Sequence, residues 1–160
     1  MPETRYEQLK KYGLIAFVVL FLAIPIASVT PWGPGMVRSY IDKHNPPGQP
    51  VKPWATEWMY KLGRFYSLTL RDDDARQTYM DLFEWYFEDP REVPKQDVYV
   101  GLALFHYGKL LIDTGHIQKG IQKMEQFLAR WGEDPNMDQE IVHLARNRVA
   151  TSKYRTKPQP

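Results

Sequence analysis

Three consecutive aspartates, Asp72-Asp73-Asp74, form the densest acidic cluster in the chain. Clustered carboxylates can hold a divalent cation, but these lack the alternating oxygen-ligand spacing of a calcium loop. They fall instead where a helix is expected to begin. There a carboxylate accepts from free backbone N–H groups, and its charge suits the positive end of the helix dipole. Capping is the expected role. The four histidines, His44, His106, His116 and His143, carry side chains suited to general-base or metal chemistry. None belongs to a His-x-x-x-His pair. Ser28, Ser39, Ser67 and Ser152 sit in no nucleophile elbow, and the glycines form no phosphate-binding loop. Cysteine is absent, which removes disulfides, zinc-thiolate sites, iron–sulfur clusters and covalent c-type haem. The expectation is a non-enzyme with no catalytic, metal or cofactor site.

Residues suited to binding are more prominent. Trp85-Tyr86-Phe87 follow one another in an expected helix. Consecutive helical residues point about 100° apart, so the three cannot all enter one core. At least one should be exposed, meet a neighbouring segment or bind a partner. Arg146, Arg148, Lys153, Arg155 and Lys157 form a basic tail without an acid among them. It is either a solvated helix face or a contact for anionic lipid headgroups or an acidic protein surface. The candidate partner-binding residues are therefore Trp85, Tyr86, Phe87, Arg146, Arg148, Lys153 and Arg155. With 21 basic and 19 acidic residues the formal charge is +2, too balanced for nucleic-acid binding.

The elements that must position these residues begin with an apolar run. No charged residue occurs between Lys11 and Arg38, and Gly13 to Val29 is apolar almost throughout. Residues 13–32 as a helix suit a hydrocarbon core of roughly 30 Å. A single transmembrane helix is expected there, after a polar leader at 1–12. A signal peptidase would find a poor site: Pro25 stands two residues before Ala27, and a cut after Thr30 would leave Pro31 first. The anchor is expected to stay uncleaved. Lys10 and Lys11 abut the span, which favours a cytoplasmic N-terminus in the inner membrane and a periplasmic domain. Residues 33–53 read as a Pro-rich linker. Its stretch His44 to Pro53 carries four prolines, suited to an extended spacer rising about 3 Å per residue.

From Trp54 the pattern turns helical, with about five helices expected over 54–154 and a flexible tail at 155–160. Trp58, Leu62, Phe65, Tyr66 and Thr69 share one helix face. The next helix opens at Asp72, and three more follow at about 98–112, 116–131 and 137–154. No alternating strand pattern appears, so the class is all-α. An internal repeat runs at an offset of 45 residues: Gly63 with Gly108, Thr69 with Thr114, Ala75 with Gly120, and Glu88-Asp89-Pro90 with Glu133-Asp134-Pro135. Tyr79 with Met124 and Phe83 with Leu128 are like-for-like pairs between them.

Each unit, about 54–90 and 99–135, resembles a tetratricopeptide repeat. Leu62-Gly63-x-x-Tyr66 with Ala75, Tyr79 and Phe83 carries the likeness in the first unit. Gly108, Gly115, Gly120, Met124 and Leu128 carry it in the second. Met59 and Leu104 replace the usual tryptophan, the proline comes late, and the period exceeds the usual length of about 34 by eleven. The resemblance implies two helical hairpins, a capping helix at 137–154, and protein–protein interaction. Together these features lead to a non-catalytic accessory or scaffolding subunit of a larger membrane complex, respiratory or photosynthetic assemblies included. Its partners would be other membrane protein subunits, with the lipid bilayer contacted through 13–32. The alternative is a membrane-tethered chaperone-like factor holding unassembled proteins.

Overall fold

In the computed structural model the described residues are 32–46, 49–88 and 97–156. They are all-helical, with no strand among them. The helices are α1 (Trp32–His44), α2 (Pro53–Leu68), α3 (Asp72–Phe83), α4 (Val98–Asp113), α5 (Ile117–Trp131) and α6 (Gln139–Thr156). A π-helical turn, Glu84–Glu88, continues α3. The chain divides into two compact units, Met1–Tyr40 and Ile41–Pro160. Of the first, only 32–40 are described, the N-terminal part of α1. The anticipated span over 13–32 lies outside the described residues apart from Trp32. No described helix is long and apolar enough to cross a membrane.

Most of the N-terminal part of the anticipated linker over 33–53 is helical, since α1 covers 32–44. Pro34 is no obstacle: in the first turn its missing N–H has no intrahelical partner to lose. Met36, Val37, Tyr40 and Ile41 then recur at helical spacing. The second unit begins at the end of this helix. Ile41 is fully buried. The buried Asn45 side chain donates to the Ile41 carbonyl (2.9 Å) and accepts from the Lys52 N–H (3.0 Å). One amide thus ends α1 and holds the residue before α2, where Pro53 supplies a helix-ready φ.

In the second unit α2 packs on α3, α4 on α5, and α2 and α3 both meet α4. α6 covers the second hairpin. The two hairpin turns match at the 45-residue offset. Arg71 N–H donates to the Tyr66 carbonyl (2.9 Å), and His116 N–H to that of Leu111 (2.7 Å). The Thr69 hydroxyl donates to the Phe65 carbonyl, and the Thr114 hydroxyl to that of Leu110. Each is a Schellman-type ending, in which a residue at positive φ lets the chain turn back on the last carbonyls. That residue is Gly115 (φ 87°) in the second hairpin but Leu70 (φ 58°) in the first.

The interhelical contacts match as well. A Cβ at Gly63 would lie 2.5 Å from Tyr79 Cε1, and one at Gly108 would lie 2.8 Å from Met124 Cγ. Tyr79 and Met124 are themselves 45 apart. At the second crossing the approach involves main chain: a Cβ at Gly120 would stand 2.6 Å from the Gly108 carbonyl oxygen and 2.5 Å from Ile112 Cγ1. Backbone there leaves no room for a methyl.

Two substitutions test this geometry. Gly120→Ala should destabilise by about 1–3 kcal/mol, as overpacking does, despite alanine's better helix propensity. An unchanged urea midpoint would contradict the crossing. Leu70→Gly should stabilise by about 0.5–1 kcal/mol, since relief of left-handed strain outweighs glycine's entropy. Leu70 is 88% exposed, so its side chain contributes little packing to lose. A lower midpoint would show that it does.

Candidate functional site

The aromatic triplet lies on the π-helical turn. Trp85 is 7% exposed and belongs to the core of the domain. The turn that admits this indole carries the next two side chains outward. Tyr86 is half-buried, its ring 6.1 Å from that of Trp131 and 4.8 Å, edge-on, from that of Phe87. Phe87 is 46% exposed. Its ring sits 6.3 Å from that of Phe83. Above these rings stands Arg130 from α5, its guanidinium 5.2 Å from the Tyr86 centroid and 5.5 Å from that of Phe87. Two turns earlier on α5, Lys123 Nζ is 5.7 Å from the Phe83 centroid. Neither cation forms an ion pair with a carboxylate of the described residues. Burial pushes the Tyr86 phenol up, with Arg130 opposing, so it remains a neutral hydroxyl. The surface these groups make is aromatic and positively charged.

Of the basic tail, Arg146, Arg148, Lys153 and Arg155 lie on α6, which runs on to Thr156, and Lys157 lies outside the described residues. Two of its cations pair with neighbouring helices at the surface. Arg148 pairs with Asp113 of α4. Lys153 Nζ lies 2.5 Å from Glu125 Oε1 of α5. These pairs join the capping helix to the second hairpin, a use that sequence spacing alone could not show. Arg146 is exposed. The Arg155 side chain lies outside the described residues.

A polar cluster between α2 and α4 was not anticipated. Arg64 Nη1 donates to His106 Nδ1 across 3.2 Å. Guanidinium cannot accept, so Nδ1 is the acceptor and the imidazole proton resides on Nε2. The Tyr60 ring lies 5.8 Å from the His106 ring and 6.0 Å from that of Tyr99. Burial, reinforced by Arg64 and Lys109, pulls the imidazole down to about 3. Nearby, the Thr56 hydroxyl donates to Asp97 Oδ2 (2.7 Å), while Asp97 Oδ1 accepts from the N–H groups of Tyr99 and Val100. One carboxylate both caps α4 and ties it to α2. A neutral histidine held by arginine is a packing device between hairpins, with no nucleophile beside it among these contacts.

Asp72, Asp73 and Asp74 occupy the first turn of α3. The N-cap is Arg71, and no side chain caps the helix by hydrogen bond. The anticipated hydrogen-bonded cap is thus replaced by charge alone acting on the dipole. Asp74 also accepts from Arg71 Nε at 2.8 Å. No group of three or more potential metal ligands occurs among the described residues. No protein family, no curated protein and no solved structure matches the chain.

The His106 geometry carries a pH dependence with a definite sign. In the unfolded chain a histidine titrates near 6.5, whereas His106 in the fold does so at about 3. Between those values the unfolded state binds a proton that the fold excludes. Stability is therefore full above pH 6.5 and is lost as pH falls through that window, by up to about 1.4 kcal/mol per unit. Urea midpoints compared with those of His106→Asn, which keeps an acceptor for Arg64 but cannot titrate, should show a shallower acid slope in the variant. Parallel slopes would rule out the buried neutral imidazole.

Proposed function

We propose that this chain is a non-catalytic accessory or scaffolding subunit of a larger membrane protein complex. Its helical domain is built from two divergent tetratricopeptide-like hairpins and presents binding surface rather than chemistry. Residues 13–32 serve as a single membrane anchor, with the N-terminus cytoplasmic and the domain periplasmic. This part rests on the charge-free apolar run and on Lys10 and Lys11 beside it. An energy-transducing assembly, respiratory or photosynthetic, is the setting that this architecture suits.

The observation that carries the proposal is the exposed Phe87 with Tyr86 and Arg130 around it. A large aromatic held in place by neighbours, yet open to solvent, loses little entropy on binding and gains burial. Aromatic and arginine side chains of this kind dominate interface energetics.

Solubilisation in mild detergent, followed by mass spectrometry of what stays bound, tests the role. A scaffolding subunit should retain stoichiometric partners; a mixed, substoichiometric set would indicate the chaperone-like alternative. Phe87→Ala should weaken that association by about 2 kcal/mol or more. Helicity and melting should remain near wild type, because the side chain is half out of the core. Unfolding of Phe87→Ala, or undiminished association, would remove this residue from the interface.

A further inference from the structure

We propose that the face formed by Phe87, Arg130 and Lys123 docks an acidic segment of a partner protein that carries an apolar side chain beside its carboxylates. This deepens the scaffolding proposal and rests on it. The first ground is charge. Arg130 and Lys123 lie against the faces of Tyr86, Phe87 and Phe83, and neither is paired with a carboxylate of the described residues. By contrast, Lys61, Lys109, Arg148 and Lys153 each meet an acid within the fold. A guanidinium lying over aromatic rings is held flat and oriented, while its N–H edge remains suited to a carboxylate. The cations are thus positioned against the rings with no carboxylate of the described residues on either, and an acidic partner segment would supply the complementary charge.

The second ground is a departure from the repeat. At the 45-residue offset Phe87 corresponds to Gly132 and Trp85 to Arg130. The second hairpin ends α5 with an ordinary Gly132 N–H to Leu128 carbonyl bond. The first ends α3 in a π-helical turn that brings Phe87 out. Such turns are rare and concentrate at functional sites. Closing a hairpin does not require this aromatic, as the second hairpin shows. Glu84, exposed one turn before Phe87, repels carboxylates from the α3 side. The acidic groups of the partner must therefore lie toward α5, with its apolar side chain against Phe87.

The test uses the full chain in its native membrane, with Phe87 replaced by the photo-crosslinking analogue p-benzoylphenylalanine and the adduct digested and sequenced. The expected adduct is a partner segment of net negative charge containing an apolar residue. Arg130→Glu with Lys123→Glu should cut its yield at least tenfold. Arg130→Lys with Lys123→Arg should preserve most of it. Circular dichroism checks the fold, and Arg130→Gln alone, expected to lower the yield severalfold, serves if the double variant unfolds. An adduct to a neutral or basic segment, to lipid or to a second copy of this chain would overturn the proposal. So would the absence of any adduct, or a yield indifferent to charge reversal. A stoichiometric complex with a non-acidic adduct would sink the docking chemistry and leave the scaffolding role standing. An acidic, charge-dependent adduct without stable co-purification would do the reverse.

Discussion

The rest of the second unit is placed by the approach of two backbones at Gly108 and Gly120. The space a methyl at Gly120 would need lies 2.6 Å from the Gly108 carbonyl oxygen. At that separation the two helices of the hairpin touch through main chain rather than through side chains. Dispersion contacts are then dense, and the crossing cannot slide without collision. α5 is fixed on α4 by this contact, and with it Trp131, which is fully buried. Trp131 in turn lies against the Tyr86 ring. A constraint within one hairpin thus sets the position of an aromatic surface on the other.

The two hairpins are joined by polar groups as well as by apolar packing. Asp97 caps α4 and accepts from Thr56 on α2, and Arg64 of α2 donates to His106 of α4. Each bond crosses between the hairpins at a partly buried place that strengthens it. The imidazole remains neutral, so the arginine retains its charge without a second cation beside it. Arg148 and Lys153 perform a similar office for α6, but at the surface, where such pairs contribute less. The capping helix depends chiefly on its apolar face, with Val142 and Ala145 fully buried.

The all-helical class was legible in the spacing of apolar residues along each segment. The offset of 45 was legible because glycine and threonine have few substitutes: Gly63 and Gly108 sit where a side chain would collide, and Thr69 and Thr114 bond back into their own helices. α1 was not legible. The four prolines of 44–53 supported a linker reading that reached back to 33, yet Pro34 falls in the first helical turn, which tolerates it. Leu70 at positive φ was hidden too, since leucine there carries no local mark and only its equivalence to Gly115 reveals it. At the candidate site a rotation of about 100° per residue left exposure, a neighbouring segment or a partner open for at least one aromatic and could not choose among the three. The choice depends on the π-helical turn, which changes the rotation per residue and leaves no trace in periodicity. The pairing of Arg148 and Lys153 depends on tertiary neighbours 35 and 28 positions away along the chain.

Divergence between the two hairpins shows where fold and surface separate. Positions that face the crossing keep small residues, and the turns keep the same hydrogen bonds even where leucine must adopt a glycine conformation. These are requirements of packing, and both units meet them. The helix ends differ. In the second hairpin Trp131 turns fully inward and Gly132 follows it; in the first, Tyr86 is half-buried and Phe87 follows it outward. Substituting bulk for glycine at that point costs nothing within the core only if the added ring leaves the core, and a wider helical turn is a way to let it leave. The strain of that turn and the solvent exposure of Phe87 are both unfavourable for the isolated domain. They would become favourable together if another surface covered the ring, as the proposed docking requires, and the geometry that weakens the lone domain would then favour assembly.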